Sequence, residues 1–324
     1  MKISKLPIVP LALILGVLGL FSDFTYYFFA TDPGETNIFQ QILYWISPNA
    51  GFWMQGLDIL NISNDSGMGS INIISVLVFT LFLIGALLYY YSDGKRSNLL
   101  RVCFSIILLT AGLGMIFGPL NFIFIQLSDD LNISYALGNN WSWIPFFAKN
   151  VILTFISFKI IKQITKENES KIISANANQP VNRGYRFAHY LIDMMVCFFY
   201  LALAIKNSIF FARVLDFGYE FDELSLQIAF YLSLILYYIF FEATFQATPG
   251  KMATGSKLVA EKGKLSIGKV IGRTFSRFVP FEPFSFFGDK GWHDKWTNTT
   301  VVKEGSQASE KHKITYEELG LIDA

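Results

Sequence analysis

Long apolar runs separated by short polar segments form the main pattern along the chain. The clearest run is residues 225–247, in which Glu242 is the only charged residue. A run of this length and composition predicts one helix that crosses a bilayer. An ionisable residue inside such a helix is costly in lipid, so we expect Glu242 to face protein or water and to have a partner.

A turn of four residues, Thr248, Pro249, Gly250 and Lys251, is predicted to end this helix. Pro249 disfavours helical backbone at the residue before it, and Gly250 loosens the backbone that follows. Lys251 stands where a cytoplasmic end is expected, because Lys and Arg concentrate on that side of a membrane. The turn therefore also predicts the orientation of the helix.

Five further runs have the length and composition of membrane spans. They are residues 8–29, 71–91, 102–124, 144–161 and 187–205. Of the 26 Lys and Arg residues, only Lys149, Lys206 and Arg213 lie at or near the predicted outer side. By the positive-inside rule, this asymmetry predicts an all-α integral membrane protein with six transmembrane helices and both termini cytoplasmic.

Two shorter segments have helical periodicity without the length to span a bilayer. Residues 37–46 carry an apolar face, and we interpret them as a helix in the outer interface, with a partner-binding or gating loop as the alternative. Residues 267–279 predict a second amphipathic helix, in which Lys269, Arg273 and Arg277 recur on one face. This basic face is predicted to contact anionic lipid headgroups at the inner leaflet.

The chain is predicted to have three parts. Residues 1–175 form an N-terminal four-span membrane region, and residues 176–303 contain two spans and the cytoplasmic interfacial helix. Within this second part, residues 257–260 and 299–302 have the pattern of short strands and predict a short cytoplasmic two-stranded β element. Residues 304–324 are polar and predict a solvated C-terminal tail.

Composition agrees with a membrane protein and weighs against several other classes. Hydrophobic residues make up 52% of the chain and charged residues 16%, whereas soluble globular proteins have about 25% charged residues. The net charge of +1 gives no basis for nucleic-acid binding. Cys103 and Cys197 both lie within apolar runs, so a disulfide framework is not indicated. The chain has no HExxH, GxSxG or P-loop motif, so no enzyme activity, metal or cofactor is predicted.

Charged residues at membrane depth are the candidates for function. Arg186 and Asp193 are seven residues apart, which places them on one face of the fifth predicted span. Asp193 and Glu242 fall at similar depth in consecutive helices, so we expect them to lie close together. Asp294 joins this polar cluster if the second short strand pairs with the first. Arg186 is predicted to pair with Asp193, with Asp294 or with both.

The order of several short motifs carries a family resemblance. They are R-x(6)-D at Arg186 and Asp193, F-E at Glu242, A-T-P-G-K ending at Lys251, G-x-K-L-V at residues 255–259, R-x-x-x-R at Arg273 and Arg277, and H-D-x(4)-T-x-V at Asp294. Over about residues 181–303 this set resembles the RDD family of bacterial membrane proteins. The arginine and two aspartates of the family name correspond to Arg186, Asp193 and Asp294.

The resemblance implies a multi-pass protein of the bacterial cytoplasmic membrane, and some family members are described as sodium–proton antiporters. Two motif positions depart from the family pattern. His293 stands where the family usually has Gly, and Thr297-Asn298 stands where it has Ala-Gly.

Two interpretations of the polar cluster stay open at this point. In the first, Asp193 and Glu242 bind and release a cation or proton during transport, because partly desolvated neighbouring carboxylates take up positive charge readily. In the second, the cluster is structural and fixes helix packing in a non-catalytic assembly, scaffold or lipid-sensing protein. The expected partners are membrane lipids with anionic headgroups at the inner leaflet, with a homo-oligomer left open.

Overall fold

The structure, a computed structural model, describes most of the predicted helices. It covers residues 7–28, 38–48, 61–63, 70–127, 143–171, 181–202, 222–261, 263–280 and 291–304. The predicted tail after residue 304 lies outside the described residues, as does most of the segment from 31 to 70.

The described residues contain ten α-helices and four short strands. In chain order they are α1 (Ile8–Phe28), α2 (Ile38–Ile46), β1 (Asn61–Ser63), β2 (Ser70–Asn72), α3 (Ile73–Tyr91), α4 (Asn98–Leu127), α5 (Trp143–Lys171), α6 (Arg183–Val196), α7 (Asp222–Phe245), α8 (Pro249–Ala253), β3 (Ser256–Ala260), α9 (Ile267–Ser276), α10 (Trp292–Thr297) and β4 (Thr299–Lys303).

Five of the described helices are long and apolar enough to cross a membrane. These are α1, α3, α4, α5 and α7, and each contains or closely overlaps one of the predicted spans. The fold is therefore mostly helical with several membrane-spanning candidates, as predicted.

The fifth predicted span, residues 187–205, takes a different form in the structure. Helix α6 covers its first part and continues as one turn of π-helix, Cys197–Ala202. This helix is not among the five spanning candidates, and residues 203–221 lie outside the described part of the chain. Six spans and two cytoplasmic termini therefore stay predictions.

Helices α4 and α5 pack as an antiparallel pair with a polar residue in contact near each end. Near one end, a Cβ on Gly114 would lie 2.4 Å from Nδ2 of Asn150, so the two helices approach closely at this glycine. Near the other end, Nδ2 of Asn168 donates to Oγ of Ser97 at 2.9 Å. Between these contacts the interior of the bundle is mainly apolar.

The predicted helix in the outer interface has a partial structural counterpart. Helix α2 forms where residues 37–46 predicted it, and Ile38, Ile42 and Ile46 are exposed along it. Its contact with lipid is still a prediction.

Asp23, the acid near the end of α1, is buried and accepts a hydrogen bond from Oγ of Ser75 at 2.6 Å. An acid within an apolar helix thus has a polar partner, as its cost in lipid requires.

The predicted two-stranded element is present. Strands β3 and β4 pair antiparallel, with Leu258 opposite Val301. The pair is joined to the ends of two helices. The Leu258 amide donates to the carbonyl of Gln246, which follows α7, at 2.7 Å, and the amide of Val181, which precedes α6, donates to the Val301 carbonyl at 3.1 Å. These bonds bring α10, which directly precedes β4, to the start of α6.

Candidate functional site: a buried charged cluster

Glu242, the acid near the end of α7, is fully buried and lies among three bases. Lys251 donates to its Oε1 through Nζ, and Nη2 of Arg277 donates to the same oxygen at 2.7 Å. Nε of Arg273 lies 3.5 Å from Oε2. A buried carboxylate is tolerated when it is paired in this way. The prediction that Glu242 has a partner is confirmed.

The carboxylate of Asp294, in the first turn of α10, forms ion pairs with two arginines. Nη1 of Arg186 donates to Oδ2 at 2.8 Å, and Nη1 of Arg273 donates to Oδ1. The same Nη1 of Arg273 also donates to Oγ1 of Thr299 at 2.9 Å. Arg273 therefore bridges Asp294 and Glu242 and joins the two acids in one cluster. The predicted pairing of Arg186 with Asp294 is confirmed.

Asp193, on α6, is bound by neutral groups. Its Oδ1 accepts hydrogen bonds from Oη of Tyr237 at 2.6 Å and from the Gly250 amide at 2.8 Å. Its Oδ2 accepts from Oγ1 of Thr248 at 2.7 Å. Among the described residues, no ion pair and no hydrogen bond joins Asp193 to Arg186 or to Glu242. The two acids that were expected to lie side by side thus have separate sets of partners.

The segment from Thr248 to Lys251 follows helix α7 and begins helix α8. Helix α7 ends at Phe245, and Gln246 has a left-handed backbone with φ of 57°. Thr248 then caps α8 by accepting from the Lys251 amide at 3.4 Å, with Pro249 in the first turn. The same Thr248 hydroxyl donates to Asp193. Helix α7 thus ends before Thr248, and the four residues predicted as its terminating turn form the cap and first turn of α8.

Gly250 is required at the contact between α6 and α8. A Cβ at this position would lie 2.4 Å from the carbonyl oxygen of His189 and 2.8 Å from Oδ1 of Asp193. Such distances leave no room for any side chain, so the missing Cβ lets the Gly250 amide reach the Asp193 carboxylate. Nε2 of His189 lies 2.5 Å from Oγ1 of Thr254 and strengthens the same contact.

Helix α9 corrects the prediction of a basic face that contacts lipid headgroups. Ser266 caps the helix as expected. The side chain of Arg273, however, is only 2% exposed and that of Arg277 only 17%, and both point inward to Glu242. Lys269 is partly buried, and its headgroup contact stays a prediction.

The outward face of α9 is apolar, with Ile267 at 66% and Phe275 at 54% exposure. This orientation has a physical reason. Glu242 and Asp294 are buried, and a buried carboxylate without a base costs several kcal/mol, so the bases of α9 face these two acids. The helix is amphipathic, as predicted, but with its charges turned to the protein interior.

The charges of the cluster also act on the titrating groups outside the spans. Burial lowers the pKa of Lys251 to about 8, with Arg273 and Arg277 adding to this effect and Glu242 opposing it. Burial, followed by the charges of the neighbouring bases, holds the pKa of His293 well below its ordinary value. His293 therefore remains neutral at pH 7 although it lies next to Asp294.

Several contributing residues were missed by the sequence analysis. Tyr237 is one, although a hydroxyl in an otherwise apolar run is a usable signal. Arg101 is another: its fully buried Nη1 lies 2.5 Å from Glu304, and Asn168 also donates to Glu304, at 3.4 Å. This second polar contact joins the start of α4 to the end of β4. No local pattern links Arg101 with Glu304, because 203 positions separate them.

The described residues form a mostly helical protein with five helices long and apolar enough to span a membrane, and a charged cluster is buried where α6, α7, α8, α9 and α10 meet. Residues 180–298 match the model of the RDD family, a family of membrane proteins. The match contains the whole charged cluster and confirms the resemblance predicted from the motifs, whereas residues 1–179 lie outside it. Searches of the curated proteins and of the solved structures found no match to the chain. In the described residues, no group of His, Cys, Asp and Glu is placed to hold a metal ion.

Proposed function

We propose that this RDD-type membrane protein transports protons across the bacterial cytoplasmic membrane, and that Asp193 takes up and releases the proton. The observation that carries the proposal is the set of neutral donors around this buried acid. Protonation of Asp193 breaks no ion pair, because the groups that donate to its carboxylate are neutral. The hydroxyls of Tyr237 and Thr248 can donate or accept, so they suit both states of Asp193.

The other two acids support this assignment by contrast. Protonation of Glu242 would leave three nearby bases without their shared counter-charge, and protonation of Asp294 would do the same to two arginines. Breaking such buried pairs is costly. We therefore assign Glu242 and Asp294 to the fixed frame of the cluster, and Asp193 to the titrating position.

A row of buried polar groups supports a route towards Asp193 through the bundle. Asn150, Thr154 and Ser157 lie on one face of α5, and each has a buried polar atom with no hydrogen-bond partner among the described residues. Tyr200, in the π-helical turn that follows α6, has another. Unpartnered polar atoms at membrane depth are costly, and water is the usual group that satisfies them. Tyr200 lies seven positions beyond Asp193 in the chain, and we include both residues in the proposed route.

A scaffold or lipid-sensing role is the second candidate. The observation that favours it is the exposed apolar face of α9, formed by Ile267, Ile271 and Phe275, beside a cluster rich in ion pairs. In this case the cluster holds α9 against the bundle and no proton moves. The two candidates differ in whether Asp193 changes protonation state during function.

Proton flux in sealed vesicles of the purified protein tests the proposal. An internal pH-sensitive dye should report faster proton entry than in empty vesicles, and Asp193→Asn should abolish the difference. Asp93→Asn is the matched control, because Asp93 is exposed and its φ of 50° suits Asn as well as Asp. Its flux should equal that of the unaltered protein.

Imposed gradients of sodium and of potassium extend the experiment to a coupled cation. A proton flux that depends on one of these gradients supports exchange, and a flux independent of both supports uncoupled proton transfer. No flux from the unaltered protein under any gradient, or an equal rate in Asp193→Asn with an unchanged unfolding temperature, rejects the proposal and favours the scaffold role.

A further inference from the structure

A cavity of about 50 Å³ lies beside the charged cluster. Its charged lining residues are Arg186, Lys251, Arg273, Arg277, Asp193 and Asp294. A buried water needs about 10–15 Å³ on this measure, so the cavity has room for about three to five atoms of that size. It is thus large enough for a small oxyanion group.

The charges of the described residues around the cavity do not cancel. Four bases line it, and the acids available to them among the described residues are Asp193, Asp294 and Glu242, which contacts three of the bases. One positive charge remains in this part of the chain, without counting the histidines. A net charge is unfavourable in a buried site at the edge of a membrane, so a bound monoanion would stabilise it.

Arg277 supplies the donor that such an anion would use. Its Nη2 donates to Glu242 at 2.7 Å, whereas its Nη1 is buried and has no hydrogen-bond partner among the described residues. Its guanidinium is held in place by the ring of Tyr238, whose centroid lies 3.8 Å away. A planar guanidinium with a free N–H is well suited to an oxyanion and to phosphate in particular.

We propose that this cavity is a binding site for a singly charged phosphate group, contacted by Arg277 and by the other bases that line it. The proposal is independent of proton transport. Two sources have this chemistry, a free phosphate ion and the phosphodiester of an anionic lipid. Exposed Ile267 and Phe275 on α9 offer an apolar surface for acyl chains next to the cluster, so both sources are included in the test.

Calorimetric titration of the full-length protein in an uncharged detergent and a chloride buffer tests the proposal. The probes are inorganic phosphate and short-chain phosphatidylglycerol, with short-chain phosphatidylcholine as the uncharged comparison. We expect one or both anionic probes to bind, and Arg277→Gln to weaken that binding about tenfold or more, the range for a lost charge-assisted hydrogen bond. Lys295→Gln is the matched control, because Lys295 is exposed on α10 and its loss removes the same charge.

The pattern of binding identifies the source of the phosphate. Binding of inorganic phosphate alone indicates a free anion, and binding of phosphatidylglycerol alone indicates a lipid. Failure of both probes to bind the unaltered protein overturns the proposal, as does binding to Arg277→Gln that equals binding to Lys295→Gln.

A second variant keeps the test decisive if Arg277→Gln does not fold. Asp193→Asn removes a negative charge from the cavity wall, so we expect it to bind the anionic probe at least as tightly as the unaltered protein. Weaker binding would contradict the charge argument. The same variant separates the two proposals, because it should lose proton flux and retain the anion.

Discussion

The two parts of the molecule, the bundle of α1, α3, α4 and α5 and the unit from α6 to β4, differ in the interactions that stabilise their interiors. In the bundle of α1, α3, α4 and α5, the interior consists mainly of apolar side chains such as Phe82 and Phe104, whose ring centroids lie 4.8 Å apart. In the unit from α6 to β4, apolar side chains such as Phe241 and Met252 continue this core, and acids and bases in direct contact are buried beside them. Apolar packing tolerates small adjustments, whereas a buried charge tolerates only a partner. We therefore expect the second unit to respond more sharply to single substitutions.

The contact between Arg101 and Glu304 shows how the two halves are joined. Glu304 follows β4 in the charged unit, and Arg101 belongs to the first turns of α4 in the apolar bundle. Nε and Nη2 of Arg101 are buried without hydrogen-bond partners among the described residues. This ion pair adds to the apolar contacts between the two parts, such as that of Phe158 with Phe245, whose ring centroids lie 5.3 Å apart.

The largest effect is expected for the pair of Arg186 and Asp294. Removing one partner leaves a buried charge uncompensated, so Arg186→Ala and Asp294→Asn should each lower the free energy of unfolding by roughly 3–5 kcal/mol. The double variant should lose less than the sum of the two single losses, because the shared interaction is lost only once. Unfolding of the four proteins in mixed detergent micelles gives this cycle. Strict additivity would show that the two residues act independently.

The next effect concerns Gly250, where α6 and α8 approach each other closely. Gly250→Ala brings a methyl group to within 2.4 Å of the His189 carbonyl oxygen, a backbone atom that cannot rotate away. Overpacking of this kind costs about 1–3 kcal/mol. The loss should appear as a lower unfolding temperature together with weakened protection of the Gly250 region from hydrogen exchange. An unchanged unfolding temperature would show that α6 and α8 can separate freely.

The third prediction concerns His293 and the loss of folding stability at acid pH. Its pKa is held well below 6.5 in the folded protein, whereas the unfolded chain binds a proton as pH falls through about 6.5. The unfolded state therefore gains more protons, and stability from this group falls by about 1.4 kcal/mol per pH unit below 6.5. We expect His293→Gln to unfold at nearly the same temperature as its parent at pH 8 and to lose less stability than its parent at pH 5.5. Parallel losses in the two proteins would contradict this assignment.

The smallest effect is expected in the apolar bundle, at Gly114. A Cβ here would also meet an atom at 2.4 Å, but this atom is the amide nitrogen at the end of the Asn150 side chain. Rotation of that side chain can relieve the contact, and Ala is the better helix former by about 1 kcal/mol. Gly114→Ala should therefore change the free energy of unfolding by less than about 1 kcal/mol, against the larger loss for Gly250→Ala. Equal losses at the two glycines would remove the proposed difference between the two halves.

Features that depend only on neighbouring residues in the sequence were predicted well. The long apolar runs, the Ser266 cap and the two short strands all follow from hydrophobicity and turn chemistry over a few residues. The need of Glu242 for a partner followed from the cost of a charge in an apolar helix. Which residue supplies that partner did not follow, since Arg273 and Arg277 had an equally plausible role at a lipid surface.

By itself, the sequence determined that the chain has several membrane-spanning helices, that an amphipathic helix follows the last of them and that Arg186 needs a carboxylate. Each of these rests on the transfer energy of neighbouring side chains, which is a local quantity. Only the tertiary structure decided that α9 turns its bases inward, that Asp193 is held by neutral donors while Glu242 is held by bases, and that Glu304 reaches Arg101. These outcomes depend on which charges the fold brings together, because the energy of a buried charge is set by its neighbours in space.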